Sequence, residues 1–166
     1  MITPLSSVDS LVIRCPNWVG DIVMATPVYE CLRQNFPNAE ITACIRPYAR
    51  GILQDSPWFD HIVALQDKEL SGMRMISSKL RQLQPQAGIL LTNTTHSWLT
   101  FRLAGVTQLY GYRRNLRKYF LTGGPDPVRD GKSIRPVPMQ DYYLEICRYL
   151  GLRLPDKPKP ALYLSE

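Results

Sequence analysis

The sequence lacks several features that assign a chain to a common class at once. No uninterrupted apolar run approaches the ~20 residues that a membrane-spanning helix requires. Residues 1–10 have neither the basic nor the long apolar region of a signal peptide. The four cysteines are dispersed and form no Cys-x-x-Cys pair. These absences favour a cytoplasmic protein with reduced thiols over a disulfide-stapled or secreted one.

Familiar catalytic and cofactor motifs are absent as well. There is no Gly-x-Gly-x-x-Gly and no Gly-x4-Gly-Lys-Ser/Thr, which argues against a classical NAD dehydrogenase and a P-loop NTPase. There is no Gly-x-Ser-x-Gly, which argues against covalent catalysis by a serine. The two histidines, His61 and His96, stand apart from other ligand types, so we predict no metal site. No recognisable nucleic-acid-binding module is evident either.

Acidic residues are missing from residues 70–125, a stretch that carries eight basic residues. The rest of the chain carries twelve basic and fourteen acidic residues, so the net charge of +6 arises in this one segment. Such asymmetry indicates a surface that meets an anion. The candidates are a phosphorylated or carboxylated ligand, an anionic membrane and nucleic acid, and the alternative without function is a solvated basic face.

Short apolar runs alternate with helical patterns along the chain. Strands are predicted at residues 11–15, 40–45, 61–65, 87–91 and 108–112, with fragments at 119–122 and 161–164. Helices are predicted at residues 20–36, 71–84, 97–104 and 139–150. Pro27 predicts either a kink or a second helix that Thr26 caps. The alternation predicts an α/β fold with a doubly wound, mainly parallel sheet of Rossmann-like type.

A carboxylate follows the first predicted strand at the start of a helix. Asp21 comes directly after the loop of residues 16–20, at the sheet edge where open α/β folds bind ligands. A carboxylate there can act as a general base toward a substrate hydroxyl. The alternative is that Asp21 only complements the dipole of the helix N-terminus.

Polar side chains also follow the fourth predicted strand. Asn93, Thr94 and His96 lie at the same sheet edge as Asp21 if the strands are parallel. Their short polar groups suit hydrogen bonds to a sugar. The alternative is that Thr94 or Thr95 caps the following helix.

Cations and tyrosines are interleaved after the fifth predicted strand. Arg113, Arg114, Arg117 and Lys118 lie between Tyr112 and Tyr119. Guanidinium groups suit phosphates and carboxylates, and tyrosine rings suit sugars or bases. Nucleic acid would be bound by the same residue types.

Several of these segments together resemble the bacterial ADP-heptose:lipopolysaccharide heptosyltransferases of glycosyltransferase family nine, most closely their heptosyltransferase II branch. The most specific segment is Arg14-Cys15-Pro16-Asn17-Trp18-Val19-Gly20-Asp21. Weaker segments follow in order at residues 25–28, 45–48, 91–93, 111–113 and 142–151. The resemblance extends over nearly the whole chain.

The resemblance implies a GT-B fold of two Rossmann-like domains, of which this chain is the N-terminal half. Residues 1–154 would be the acceptor-binding domain, and the proline-rich residues 155–166 would be a linker toward a missing C-terminal donor-binding domain. The implied reaction is inverting transfer of heptose from ADP-heptose to the inner core of lipopolysaccharide. Asp21 would be the base, no cofactor is implied, and ADP-heptose would be a substrate held mainly by the other domain.

The implied partners are the lipopolysaccharide inner core and ADP-heptose, with peripheral contact to the cytoplasmic face of the inner membrane and without nucleic acid. Acceptor contacts are expected from Asn17, Trp18, Arg46, Asn93, Thr94, His96, Arg113, Arg114, Arg117 and Lys118. We expect the chain alone to be inactive. The alternative is a stand-alone basic module that binds an anionic glycolipid or nucleotide without catalysis.

Overall fold

A parallel sheet of five strands, in the order β3-β2-β1-β4-β5, forms the centre of the computed structural model, which describes Leu5 and residues 8–165. The strands are β1 (Ser10–Arg14), β2 (Glu40–Ile45), β3 (His61–Ala64), β4 (Ala87–Leu90) and β5 (Gln108–Gly111). The α-helices are α1 (Val19–Met24), α2 (Thr26–Asn35), α3 (Arg50–Leu53), α4 (Leu70–Arg81), α5 (Thr95–Leu103) and α6 (Met139–Tyr149). Short 3-10 helices span Pro47–Ala49 and Asn115–Tyr119, and strands β6 (Arg129–Asp130) and β7 (Ser133–Ile134) form an antiparallel pair. The predicted doubly wound α/β fold is confirmed.

Helices cover both faces of the sheet because neighbouring residues of a strand point to opposite sides. Leu11 and Ile13 of β1 belong to one buried cluster, which includes Tyr29 of α2 and Ile146 of α6. Val12 belongs to the other cluster, which includes side chains of α4 and α5. A strand that is buried on both faces is continuously apolar, which is why residues 11–13 show no alternation.

The strand order creates a crevice between β1 and β4. The chain proceeds from β1 through β2 to β3 on one side, and then returns to place β4 on the other side of β1. The loops that leave the carboxyl ends of β1 and β4 therefore diverge. In open α/β sheets this switch point is where ligands bind.

The helix break at Pro27 is confirmed, but the predicted cap is wrong. Helix α1 ends at Met24 and α2 begins at Thr26, with Ala25 in the N-cap position. The Thr26 hydroxyl donates to the Val23 carbonyl at 2.8 Å and accepts the Ala161 N–H at 3.0 Å. Thr26 therefore joins the two helices and the C-terminal segment instead of capping α2.

The two predicted strand fragments do not form. Tyr119 ends the 3-10 helix Asn115–Tyr119, residues 120–122 follow it without regular structure, and a single bridge links Gly123 to Tyr110. Residues 161–164 belong to no helix or strand and do not join the sheet. This segment is held by side chains, since the Tyr163 ring packs edge-on against Trp58 at 5.1 Å between centroids. Among the described residues, no helix has the length and apolar character to cross a membrane.

Candidate functional site

A cleft of about 440 Å³ opens at the switch point between β1 and β4. The structure brings six of the predicted site residues together in its lining: Asn17, Trp18, Asp21, Asn93, Thr94 and Arg114. They come from the loops after β1, β4 and β5 and from the first turn of α1. Their convergence follows from the parallel arrangement, because the carboxyl ends of all parallel strands meet at one edge.

Asp21 lies in the first turn of α1 and is half-buried in the cleft wall. Within the described part of the chain, its carboxylate forms no side-chain hydrogen bond or ion pair. Its neighbour in the cleft is Tyr143, whose phenol pKa is raised by burial and then further by the negative charge of Asp21. A carboxylate that has no side-chain partner in the described part of the protein keeps its lone pairs available for a ligand proton.

Asn17 is fixed at the mouth of the cleft by two arginines. Its side-chain oxygen accepts from Nη2 of Arg14 at 2.8 Å and from Nε of Arg46 at 3.3 Å. The Tyr48 hydroxyl donates to its backbone carbonyl. These hydrogen bonds use the oxygen atoms of Asn17, so the N–H groups of its side-chain amide remain for a ligand.

A buried ion-pair network lies behind Asn17. The carboxylate of Asp67 is 2.9 Å from Nη1 of Arg46 and 3.8 Å from Nε of Arg14, and the side chains of Arg14 and Asp67 are 1% and 2% exposed. Burial lowers the pKa of Arg14, and the charge of Asp67 partly offsets this effect. Arg46, predicted to bind the acceptor, is thus engaged with Asp67 and Asn17 and is not part of the cleft lining.

Both polar atoms of the Asn93 side-chain amide form hydrogen bonds. Its nitrogen donates to the Tyr142 hydroxyl at 3.0 Å, and its oxygen accepts from Nη1 of Arg117 at 3.1 Å. The same Arg117 atom donates to the Thr92 carbonyl at 2.7 Å. Arg117 is only 5% exposed, and burial lowers its pKa to about 10. The structure therefore places Arg117 behind Asn93 and not on the predicted binding surface.

Thr94 and His96 have different surroundings. Thr94 occupies the N-cap position of α5, yet its hydroxyl pairs with the Ser97 hydroxyl at 2.6 Å and does not cap a backbone amide. Thr94 lines the cleft, which leaves it able to contact a ligand. His96 is exposed on the first turn of α5 and lies outside the cleft lining.

The exposed cations that follow β5 lie on two different surfaces. Arg114 lines the cleft, together with Arg135, which the sequence analysis missed. Arg113 and Lys118 instead line a neighbouring depression of about 580 Å³. Arg113 lies 3.7 Å from the carboxylate of Asp126 there.

Helix α6 supplies an aromatic wall that sequence reasoning also missed. Tyr142 and Tyr143 line the cleft, as does Met139. The Tyr142 ring stacks on Tyr112 with centroids 3.8 Å apart and planes 4° apart. Residues 142–143 belong to the family-like segments, but neither tyrosine is among the predicted acceptor contacts.

Within Leu5 and residues 8–165, no group of three or more His, Cys, Asp or Glu side chains is placed to hold a metal ion. All four cysteines are free thiols and buried. The cleft therefore offers carboxylate, amide, hydroxyl, guanidinium and aromatic groups. These are groups that bind polyhydroxylated and anionic ligands.

No protein-family model matches the sequence. The chain is 23% identical over 160 residues to lipopolysaccharide heptosyltransferase 2 of Escherichia coli strain K12, covering 89% of this chain and 43% of that protein. It is 26% identical over 143 residues to lipopolysaccharide heptosyltransferase 3 of the same strain, covering 76% of this chain and 42% of that protein. The chain thus spans less than half the length of these curated relatives.

Solved structures show the same similarity in fold. E. coli ADP-heptose lipopolysaccharide heptosyltransferase II superposes with a TM-score of 0.74 at 23% identity, covering 95% of this chain and 47% of that one. A family 9 glycosyltransferase of Veillonella parvula superposes with a TM-score of 0.79 at 19% identity, covering 95% and 46%. The chain is therefore similar in sequence to the lipopolysaccharide heptosyltransferases and similar in fold to structures of glycosyltransferase family nine. In each case it matches somewhat less than half of the other protein's length.

Proposed function

We propose that this chain is the acceptor-binding half of an inverting glycosyltransferase that moves heptose from ADP-heptose to the inner core of lipopolysaccharide. The observation that carries the proposal is the position of Asp21. Its carboxylate, which has no side-chain partner among the described residues, shares the switch-point cleft with Asn93, Thr94 and Arg114. A carboxylate, amide and hydroxyl groups and a cation thus lie together where this fold class binds ligands, which supports the proposal.

Asp21 would act as the general base in a single displacement. As the acceptor hydroxyl oxygen attacks the anomeric carbon of the donor, its proton passes to the Asp21 carboxylate. The bond between the anomeric carbon and the ADP phosphate oxygen breaks, and ADP leaves with the electron pair. Attack from the face opposite to the leaving group inverts the anomeric centre, and no covalent enzyme intermediate is needed.

The remaining cleft residues suit an anionic sugar acceptor. The amides of Asn17 and Asn93 and the hydroxyl of Thr94 can hydrogen-bond sugar hydroxyls. Trp18 is 75% exposed and offers a flat apolar face to a sugar ring. Arg114 and Arg135 supply charge for acceptor carboxylates or phosphates. Arg46 and Arg117 would act through Asn17 and Asn93 as positioning residues.

Three further predicted contacts lie outside the cleft lining. Arg113 and Lys118 line the adjacent depression, where an extended acceptor would pass, and His96 is exposed on α5. The donor would be bound mainly by a second domain, with residues 155–166 leading toward it. Closure of that domain would remove water from around Asp21. Because the acceptor is a lipid, the protein would contact the cytoplasmic face of the inner membrane peripherally.

A binding module without catalysis is the second candidate. The observation in its favour is that Arg114 and Arg135 line the cleft, since guanidinium groups bind anionic ligands without any chemical step. In that case, the cleft would capture an anionic glycolipid or nucleotide and Asp21 would have no chemical role.

The test is heptose transfer by the full-length gene product supplied with ADP-heptose and inner-core acceptor, followed by mass spectrometry of the acceptor. The proposal predicts an acceptor heavier by one heptose and release of ADP. Residues 1–166 alone should bind the acceptor without transferring heptose. Acceptor binding by the full-length protein without any transfer would support the binding module, and absence of both would contradict both candidates.

A further inference from the structure

Tyr143 of helix α6 is a buried tyrosine whose hydroxyl group has no hydrogen-bond partner in the described part of the chain. The residue is 3% exposed and belongs to the same core cluster as Ile22, which follows Asp21 in α1. Its ring is fixed edge-on against Tyr142, with centroids 5.5 Å apart and planes at 75°. A buried tyrosine usually has a hydrogen-bond partner for its hydroxyl, so an unpartnered phenol in a packed wall points to a ligand.

The Tyr143 hydroxyl is open to the switch-point cleft. Tyr143 and Asp21 line this cleft from two different helices, α6 and α1. The phenol oxygen is not hydrogen-bonded and is not among the polar atoms that the protein fully encloses. The hydroxyl is therefore the part of an otherwise buried side chain that a cleft ligand can reach.

The charge of Asp21 acts on this phenol. Burial raises the pKa of Tyr143, and the negative charge of Asp21 raises it further. Tyr143 therefore keeps its proton at neutral pH, so it can donate a hydrogen bond but cannot replace Asp21 as the base. No direct hydrogen bond joins the two described side chains, which leaves the space between them for a polar atom of a ligand.

We propose that the Tyr143 hydroxyl holds the attacking hydroxyl of the acceptor against Asp21. The inference rests on the proposed function, to which it adds a second protein group at the nucleophile. The acceptor oxygen carries one hydrogen and two lone pairs. Its hydrogen is directed to the Asp21 carboxylate and one lone pair accepts from Tyr143, so the other lone pair is directed at the anomeric carbon of the donor.

These two contacts orient the acceptor oxygen for attack. As the free lone pair forms the bond to the anomeric carbon, the O–H proton passes to Asp21 and ADP leaves with the electron pair of the broken bond. The Tyr143 proton stays on the phenol throughout. Orientation of a reacting atom lowers the barrier to reaction, whereas the rest of the acceptor is bound by other cleft residues. Loss of the Tyr143 hydroxyl should therefore lower kcat more than it raises KM.

The alternative role of Tyr143 is structural, with the ring closing the cleft wall and the hydroxyl in contact with water alone. Tyr143→Phe separates the two roles because it keeps the ring and removes only the hydroxyl. Since that hydroxyl has no protein partner, the variant should fold normally, and its urea midpoint should match that of the wild type.

The test is steady-state heptose transfer by the full-length gene product as wild type, Y143F, D21N and the double variant. We expect Y143F to lower kcat roughly tenfold and to change the acceptor KM less than about threefold. Adding Y143F to D21N should lower the residual turnover less than about twofold, because the two groups act on the same hydroxyl.

Tyr110→Phe is the matched control. Tyr110 is also 3% exposed, and it lies in β5 outside the cleft lining, so Y110F should keep wild-type kcat and KM. Wild-type kcat in Y143F, a rise in KM alone, an equal loss in Y110F, or a loss that multiplies fully with that of D21N would overturn the inference and leave Asp21 as the base. Absence of transfer by the wild type would instead overturn the proposed function, and the inference with it.

Discussion

The side-chain amide of Asn93 donates to the hydroxyl of Tyr142 at 3.0 Å, across the cleft floor between the loop after β4 and helix α6. Tyr142 in turn stacks on Tyr112, whose own hydroxyl donates to the Tyr142 carbonyl at 2.6 Å. A predicted ligand-binding residue is thus oriented by a residue 49 positions away in sequence.

Replacing Tyr142 with Phe should affect ligand binding more than folding. The ring stack on Tyr112 remains, so the free energy of unfolding should fall by less than ~1 kcal/mol. Asn93 loses the partner of its N–H, and the acceptor KM should rise roughly three- to tenfold. Tyr112→Phe should show the reverse, with lower stability by about 1 kcal/mol and little change in KM. Urea unfolding and transfer kinetics on both variants measure the two effects.

Replacing Asp67 with Asn should destabilise the fold strongly. The substitution leaves the charge of Arg14, whose side chain is 1% exposed, without its counterion. Removal of one partner of a buried ion pair costs about 3 to 5 kcal/mol, whereas the exposed pair of Arg113 and Asp126 is worth under ~1 kcal/mol. Urea unfolding of D67N and D126N should show this contrast, and equal small losses would show that the buried pair contributes no more than a surface pair.

Asp60 should make folding stability depend on acid pH. Burial alone would raise the pKa of its carboxyl group, but the Ile41 N–H at 2.8 Å and Arg33 at 2.6 Å outweigh burial and lower it. A carboxyl pKa that is lower in the folded state stabilises the fold above its unfolded value of about 4 and loses that contribution as the pH falls through the folded value.

Because the Asp60 side chain is 43% exposed, its interaction is screened and we expect Asp60→Asn to cost only about 1 kcal/mol at pH 7. Urea midpoints of wild type and D60N should converge as the pH approaches about 2. A difference between the two proteins that stays constant over this range would contradict the assignment.

Arg114 and Arg113 provide an internal comparison of two adjacent cations. Arg114→Gln removes a charge from the cleft lining, so acceptor affinity should fall about tenfold, the usual effect of losing one charge-assisted hydrogen bond. Arg113→Gln removes a charge from the neighbouring depression and should change the affinity for a short, soluble acceptor less than about twofold. Isothermal titration with such an acceptor tests the pair, and equal losses would place the anion-binding site outside the cleft.

Strand positions and the sheet edge were predictable because they depend on local pattern. The apolar runs at residues 11–15 and 87–91 correspond to β1 and β4, and parallel geometry then brings Asp21 and Asn93 to one edge. The interruption of the helix near Pro27 was also predictable, since proline interrupts a helix whatever surrounds it.

The supporting contacts were not predictable, because they depend on side chains that meet only in the folded chain. Arg117 stands in a basic run and is typical of a surface residue, yet it is buried behind Asn93. Asp67 lies in a polar loop, and nothing local indicates that two arginines enclose it. The 3-10 helix Asn115–Tyr119 turns Arg117 inward to the Thr92 carbonyl and to Asn93, and this tertiary contact overrides the strand propensity of residues 119–122.

The role of Asp21 as the base is tested by the turnover of Asp21→Asn at saturating donor and acceptor, measured beside Asp141→Asn. Both carboxylates occupy the first turn of a helix, so both variants should lose a similar, small amount of stability, about 0.3 to 1 kcal/mol. If Asp21 is the base, D21N should bind acceptor normally but turn over at least ~100-fold more slowly, while D141N retains wild-type turnover. Near wild-type turnover by D21N would show that Asp21 serves only the helix end, and would contradict the account of this cleft as the catalytic site.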